Sequence, residues 1–309
     1  MLAIIIPYYN PRFFRQTLES LAAQSDKRFT VYIGDDASPE DPRELLDEFK
    51  SRFDFTYHRF EQNLGGTSLV SQWNRCIERA GNQKWYMILG DDDVLGAECV
   101  AEFYRQLPEI EEARVVRFAT VKIDASGAPT AGPFTHPKRE NAVDFLFNKK
   151  RSSLSEYIFL ADAVKNIGFR DFPLAWLSDV LAVLEFSGFG TLYSINEAPV
   201  YVRISDYNIS GRTDNLKPKA DAVFQFYSYL LLKHASRFNE TRQDQLLAAI
   251  AKSYLSNKRS ALHFLQLASI YFRFGKIRAY FSFLKSFIRG VQESYRIIIV
   301  TFTLSFLLP

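Results

Sequence analysis

Cysteine is almost missing from this chain. Cys76 and Cys99 are the 2 cysteines in 309 residues, which excludes a disulfide scaffold and reads as a pair of reduced core thiols in a cytoplasmic protein. Neither has metal-ligand spacing, and the 4 histidines (His58, His136, His234 and His263) are too scattered to suggest a ligand cluster. No Gly-x-Gly-x-x-Gly follows the first apolar run and no Gly-Lys-Ser/Thr occurs, so dinucleotide and Walker-type phosphate cradles are not expected. Internal repeats and low-complexity segments are lacking too. Met1 runs straight into an apolar stretch with no basic n-region and no small-residue cleavage site, so no secretory signal is expected. Apolar residues themselves are plentiful. With 28 Phe, 16 Tyr and 47% hydrophobic residues the chain has ample material for a core, which excludes disorder.

Acidic residues become scarce toward the end of the chain. Residues 1–216 carry 24 Lys and Arg against 31 Asp and Glu, whereas 217–309 carry 14 against 4, so a formal net charge of +3 hides an acidic body and a basic tail. An acidic body is a poor match for nucleic acid. The asymmetry predicts two units, 1–216 and 217–309.

Short apolar runs alternate with amphipathic stretches in the first third. Leu2–Pro7, Phe29–Ile33, Phe55–Phe60 and Trp85–Leu89 read as strands. Between them, a helix capped by Asn10 with Pro11 at its first position, a second opening at Asp41-Pro42, and a third over Thr67–Ala80 are predicted. This alternation predicts an α/β fold with a mostly parallel sheet flanked by helices. Further on, Arg114–Ile123, Thr191–Ile195 and Pro199–Ile204 read as strands, Asp124–Pro137 as a loop, and Glu140–Lys150 and Trp176–Phe186 as helices. From Pro218 onward only helices are expected, giving an α-helical C-terminal appendage.

Ligands in such sheets bind beyond the carboxyl ends of strands. There the chain places Tyr8-Tyr9-Asn10, Asp35-Asp36, Asn63-Leu64-Gly65-Gly66 and Asp91-Asp92-Asp93. Three adjacent carboxylates repel one another and stay close only with water, basic partners or a metal. Oxygen ligands on a turn suit Mg²⁺ or Mn²⁺, which keep positions open for phosphate oxygens. A carboxylate at Asp36 could accept a base N–H, although Asp after a strand commonly bonds its own turn.

Together, Ile-Ile-Ile-Pro-Tyr-Tyr-Asn, Tyr-Ile-Gly-Asp-Asp-Ala-Ser, Asn-Leu-Gly-Gly, Trp-Asn-Arg-Cys-Ile and Ile-Leu-Gly-Asp-Asp-Asp-Val-Leu resemble the family 2 glycosyltransferases of GT-A fold, closely over residues 2–110 and more loosely to about 212. The resemblance implies that Pro7 and Tyr9 contact a nucleotide base, that Asp36 reads the uracil edge with Asp35 beside it, and that Asp91 holds the ribose. It further implies that Asp92 or Asp93 ligates a divalent metal, Mn or Mg, and that Asp179 is the base for the acceptor hydroxyl. Asn74 matches an asparagine common in the third helix, and Arg203 is a candidate for phosphate contact. The chain departs from the family pattern at three places. Gly90 stands where many members have an acid, Ser178 replaces the usual Glu before the base, and Ser205 stands where some have His. Ser178 or Asp179 could instead cap the helix. Trp73 and Trp176 suit packing, with Trp176 placed to stack on a sugar, and Ser210 and Gly211 suit a lid or a plain loop.

An inverting hexosyltransferase is therefore expected, using a nucleotide-diphosphate donor, UDP-linked by the resemblance, and a glycan or lipid-linked acceptor in surface polysaccharide synthesis. The rivals are a sugar-nucleotide pyrophosphorylase, disfavoured by the lack of a Gly-rich basic loop at Tyr8-Tyr9-Asn10, and a non-catalytic binding protein. In the tail, residues 277–296 read as a helix with Ile277, Phe281, Leu284, Ile288, Val291 and Tyr295 on one face and Arg278, Lys285, Arg289 and Arg296 beside it. Such a helix suits the anionic inner face of the cell membrane or a homo-oligomer contact. The following run Ile297–Leu308 reaches only about 18 Å as a helix, short of the ~30 Å hydrocarbon core.

Overall fold

The computed structural model describes residues 1–110, 113–148, 152–205, 211, 214–256 and 260–289. They fall into two compact units, Met1–Leu216 and Lys217–Pro309.

In the first unit the apolar runs at Leu2, Phe29 and Trp85 become interior strands, while the run at Phe55 becomes a half-exposed edge strand. The chain forms β1 (Leu2–Tyr8), α1 (Phe14–Ala22), β2 (Phe29–Asp35), α2 (Arg43–Asp47), β3 (Phe55–Arg59), α3 (Leu69–Arg79) and β4 (Trp85–Ile88). These strands pair in parallel in the order β3-β2-β1-β4. The register sets Pro7 opposite Gly34 and Tyr8 opposite Asp35, so the loops after β1 and β2 leave the sheet side by side. Phe14, Leu18 and Leu21 turn one fully buried stripe of α1 onto the sheet. Pro11 does not open that helix. Asn10 Oδ1 instead accepts the Arg12 N–H at 3.1 Å, and the helix proper starts at Phe14. The α3 helix is capped by Ser68, whose hydroxyl accepts the Ser71 N–H. It packs so close to β2 that a Cβ on Gly34 would lie 2.3 Å from Cys76 Sγ. Cys76 and Cys99 are both free and buried.

The rest of the unit is β5 (Val94–Leu95), α4 (Cys99–Ile110), β6 (Val115–Ile123), β7 (Pro129–Phe134), β8 (Arg139–Asn141), α5 (Ala142–Asn148), β9 (Tyr157–Leu160), α6 (Ala161–Ile167), α7 (Ser178–Phe186) and β10 (Thr191–Arg203). Here the sheet becomes mixed, because β9 inserts antiparallel to both neighbours in the order β4-β9-β6-β10-β5. The two expected strands at 191–204 are one strand, β10, with a register shift against β6 between Ile195 and Val200. Part of the expected loop 124–137 pairs with β6 as β7.

In the second unit the chain forms α8 (Leu216–His234), α9 (Glu240–Ser256), α10 (Ala261–Arg273) and a helix through 277–289, with no strand among the described residues. Aromatic contacts hold it: Tyr254 lies 5.8 Å from Phe264 and 5.9 Å from Phe283, and His263 stacks on Phe224 at 4.2 Å. No helix among the described residues is long and apolar enough to cross a membrane. Ser210, Val291, Tyr295, Arg296 and the run at 297–308 lie outside the described residues.

Candidate active site

A cleft of ≈ 290 Å³ opens beyond the carboxyl ends of β1, β2 and β4. Its walls include Pro7, Tyr9, Asp36, Gly90, Asp91 and Asp93 from the strand ends, Gln72 and Trp73 from α3, the segment Ser152–Ser155, and Leu174–Leu177 with Asp179. Pro7, Tyr9, Asp36, Asp91 and Asp93 from the start of the chain thus meet Asp179, which lies far along it. Asp35, Asp92, Asn74 and Arg203 are not among the lining residues.

Asp35 and Asp36 are neighbours with opposite orientations. Asp35 is fully buried and accepts the Ser38 N–H at 2.7 Å, the Tyr57 hydroxyl at 2.6 Å and Arg59 Nη1 at 2.8 Å. It closes the turn and fastens β3. Asp36 faces the cleft, accepting the Leu64 and Gly65 N–H groups at 2.7 and 2.8 Å and the Arg75 guanidinium. A carboxylate has about four lone-pair sites, so one remains for a ligand donor. Arg75 escaped the sequence reading. Its signal was its place one turn along from Ser71 on the face of α3 that carries Gln72, which it also contacts through Oε1.

Tyr9 is 46% exposed in the cleft wall, while its backbone N–H and that of Asn10 donate to Asp91 Oδ2 at 2.8 and 2.7 Å. Asp91 therefore stitches the loop after β1 to the loop after β4. Burial, and then the charge of Asp92, push its carboxyl up to about 7 against the pull of those two N–H groups. Asp93 is buried, with Oδ1 accepting the Arg203 N–H at 2.9 Å and Oδ2 the Ser155 hydroxyl at 2.5 Å.

Arg203 differs from the sequence expectation. It is 1% exposed, and its guanidinium donates to Asp92 O, Asp124 O and Gln16 Oε1 at 2.8, 2.6 and 2.5 Å while lying over the Phe13 ring. Those nitrogens are directed into the fold, where they shape the acidic turn. A role in phosphate contact does not match this placement.

Asp179 lies in the first turn of α7, half-buried, with Oδ2 accepting the Ser152 hydroxyl at 2.6 Å. Neither it nor Ser178 caps the helix: the cap position is Leu177, with no side-chain cap hydrogen bond, and the Ser178 hydroxyl is buried with no hydrogen-bond partner among the described residues. Before it, Leu174, Ala175 and Leu177 hold φ of 61°, 52° and 70°, the left-handed region that side chains rarely adopt. Such strain persists only where surrounding structure imposes it.

The fit of a divalent metal turns on Gly90. A Cβ there would come within 2.9 Å of Asp92 Oδ1 and 3.1 Å of Asp93 Oδ2, so the missing side chain leaves a space faced by two carboxylates. Among the described residues no group of three or more His, Cys, Asp and Glu is arranged to hold a metal unaided. Mg²⁺ and Mn²⁺ do not need one, since one or two carboxylates with substrate phosphates and water complete their shell. The residues fit such an ion when a diphosphate comes with it.

Residues 3–153 match the family model described as Glycosyl transferase family 2. No curated protein sequence matches the chain. Among solved structures, S. aureus TarS 1–349 in complex with UDP-GlcNAc superposes with a TM-score of 0.64 at 15% identity, over 88% of this chain and 80% of that one. The same protein in complex with UDP gives 0.61 at 16%, over 84% and 73%. The mannosyltransferase PcManGT from Pyrobaculum calidifontis, in complex with GDP-Man and Mn²⁺, gives 0.54 at 11%, over 94% and 84%. At such identities the likeness is one of fold, GT-A-like with a mixed sheet.

Proposed function

Residues 3–153 make this chain a glycosyltransferase of family 2, and we propose that it moves a hexose from a UDP-linked donor to a hydroxyl of a glycan or lipid-linked acceptor, with inversion. The observation that carries this reading is the meeting of Tyr9, Asp36, Asp91 and Asp93 with Asp179 around one cleft. The exposed Tyr9 ring suits stacking on a base, and the remaining acceptor site of Asp36 suits the uracil N3–H. Its fold neighbours were crystallised with UDP, UDP-GlcNAc and GDP-Man, which agrees with a nucleotide-sugar donor.

Asp92 and Asp93 would hold the divalent ion, whose charge stabilises the departing diphosphate when bound. The chain's own part is on the acceptor side. Asp179 takes the hydroxyl proton as the acceptor oxygen bonds to the anomeric carbon from the face opposite the diphosphate. The bond from that carbon to the phosphate oxygen breaks, and the nucleoside diphosphate leaves with the electron pair. A single carboxylate across from the donor site supports one displacement and hence inversion.

Cytoplasmic location, peripheral on the inner face of the membrane, belongs to the same proposal. Leu262, Leu265 and Phe272 on α10 are 73, 64 and 58% exposed, and Ile277, Phe281 and Ile288 on the following helix 49, 58 and 52%. Each set shares one helical face, with Arg278, Lys285 and Arg289 along the second. An apolar face rimmed by cations suits anionic lipid better than a protein core. Pairing of two copies through the same face is the competing outcome, which flotation with phosphatidylglycerol vesicles separates from it.

For the reaction, calorimetry with UDP and Mn²⁺ on the wild type and Asp179→Asn tests the assignment. Binding should be metal-dependent and equal in both, while sugar-nucleotide turnover falls by roughly 10²–10⁴-fold in the variant. Undiminished turnover in Asp179→Asn would overturn Asp179 as the base, and binding with no turnover in either protein would leave only a binding protein.

A further inference from the structure

The segment 152–155 touches both ends of the cleft, and no sequence motif announced it. At one end the Ser155 hydroxyl donates to Asp93 Oδ2 at 2.5 Å and accepts the Gly90 N–H at 3.0 Å. At the other, the Ser152 hydroxyl donates to Asp179 Oδ2 at 2.6 Å. The Tyr157 hydroxyl lies 2.8 Å from Ser152 Oγ. Since the one proton of Ser152 goes to the carboxylate, Tyr157 must be the donor in that second contact. The order of donation is then fixed as Tyr157 to Ser152 to Asp179.

Between these ends the segment is anchored from behind. Residues Leu154–Glu156 form a single 3-10 turn, which sends Ser155 toward the acidic turn and Glu156 into the fold. The Glu156 carboxylate is fully buried and pairs with Arg117 Nε of β6 at 2.7 Å. Tyr157 is fully buried as the first residue of β9, paired opposite Arg117. A segment fixed this way cannot shift one end without disturbing the other.

We propose that Ser152 and Ser155 are positioning residues forming a brace across the cleft. Ser155 holds the turn of Asp93 and Gly90, and Ser152, ordered by Tyr157, turns Asp179 so that Oδ1 alone faces the acceptor. The brace sets the separation between the diphosphate end and the proton-accepting end. The Ser152 half rests on the reading of Asp179 as the base; the Ser155 half does not.

The test uses the full chain and three readouts: thermal melting, calorimetric affinity for UDP with Mn²⁺, and kcat and KM for hydrolysis of whichever of UDP-GlcNAc, UDP-glucose, UDP-galactose and GDP-mannose the wild type cleaves fastest. Loss of one hydrogen bond to a charged group is expected to read as about a tenfold change. Ser152→Ala should lower kcat about tenfold with KM and UDP affinity unchanged, Ser152→Thr should restore kcat, and Tyr157→Phe should lower kcat less than Ser152→Ala. Ser155→Ala should weaken Mn²⁺-dependent UDP affinity about tenfold, a readout that Ser152→Ala leaves unmoved. Should Ser152→Ala melt early, a lowered kcat with unchanged KM in Tyr157→Phe decides for the brace, and an unaltered kcat there decides against it. An unaltered kcat in Ser152→Ala beside an inactive Asp179→Asn overturns the brace and keeps the base. An active Asp179→Asn overturns the base itself, leaving the Ser155 result to stand or fall on affinity. Equal effects of both serine variants on both readouts would reduce the segment to a structural strut.

Discussion

The two sides of the cleft hold their carboxylates differently. On the strand-end side, Asp36 accepts the backbone N–H groups of Leu64 and Gly65, and Asp91 those of Tyr9 and Asn10. Main-chain donors cannot change rotamer, so these acids are fixed once the parallel strands pair. Across the cleft Asp179 takes a side-chain hydroxyl from Ser152 and follows three left-handed residues, Leu174, Ala175 and Leu177. That side depends on a buried ion pair behind it and on strain in front of it. A frame fixed by main-chain donors thus faces a side held by side chains and strained backbone where the proton is to move, in line with strain gathering at reacting groups.

The largest expected effect breaks the second side. Arg117 and Glu156 have side chains 4% and 0% exposed. Arg117→Ala removes the arginine paired with a buried carboxylate and should cost about 3–5 kcal/mol in denaturant unfolding. The matching pair on the first side is Arg59 with Asp35, where the arginine is 44% exposed and Asp35 keeps the Ser38 N–H and Tyr57 hydroxyl. Arg59→Ala should cost clearly less. Equal losses in the two variants would mean that the two sides are braced alike.

A pH series probes the first side. The Asp91 carboxyl sits up at about 7, above its ordinary value, chiefly through burial and the charge of Asp92. For an acid shifted this way the folded state favours the protonated form. Stability from this group is therefore fully present below about 4, the unfolded value, and is lost as pH rises through the folded value. Metal-free protein should melt lower at pH 8 than at pH 5, and Asp91→Asn, whose Oδ1 can still accept both N–H groups, should flatten the dependence. A slope unchanged in Asp91→Asn would assign it to another group.

Most of the strand-end side was legible in the sequence, and the reason is local. Turns after β1, β2 and β4 need particular residues in a row, so Tyr9-Asn10, Asp35-Asp36 and Asp91-Asp92-Asp93 announce themselves. The other side is assembled from residues with no shared spacing. Tyr157–Leu160 is four apolar residues running straight into a helix, and only pairing with distant β4 and β6 makes it a strand. Ser152 and Ser155 matter through contacts 27 and 62 residues away, which no window along the chain can reveal. Arg203 shows the converse: its charge and position pointed to phosphate, but the depth of its burial turned it into a scaffold for the acidic turn. The left-handed loop was hidden because leucine and alanine occupy positions where glycine or asparagine would have marked a turn.

The smallest effect sharpens the comparison most. Leu177, at φ 70°, is the cap residue of α7 and lines the cleft two residues before Asp179. Glycine adopts that conformation without a Cβ penalty and is acceptable at a helix cap, but it orders at greater entropic cost and gives up the partly buried leucine. The strain relieved is of order 1–3 kcal/mol, and the opposing terms leave a gain in stability of at most about 1 kcal/mol for Leu177→Gly. Turnover should move the other way, because the residues leading into Asp179 are no longer held by a side chain packed in the cleft wall. UDP affinity with Mn²⁺ should stay unchanged, since Tyr9, Asp36 and Asp91 keep their backbone donors. A variant both less stable and less active would show that the left-handed backbone is ordinary packing; more stable and less active is the outcome that ties strain to the acceptor side.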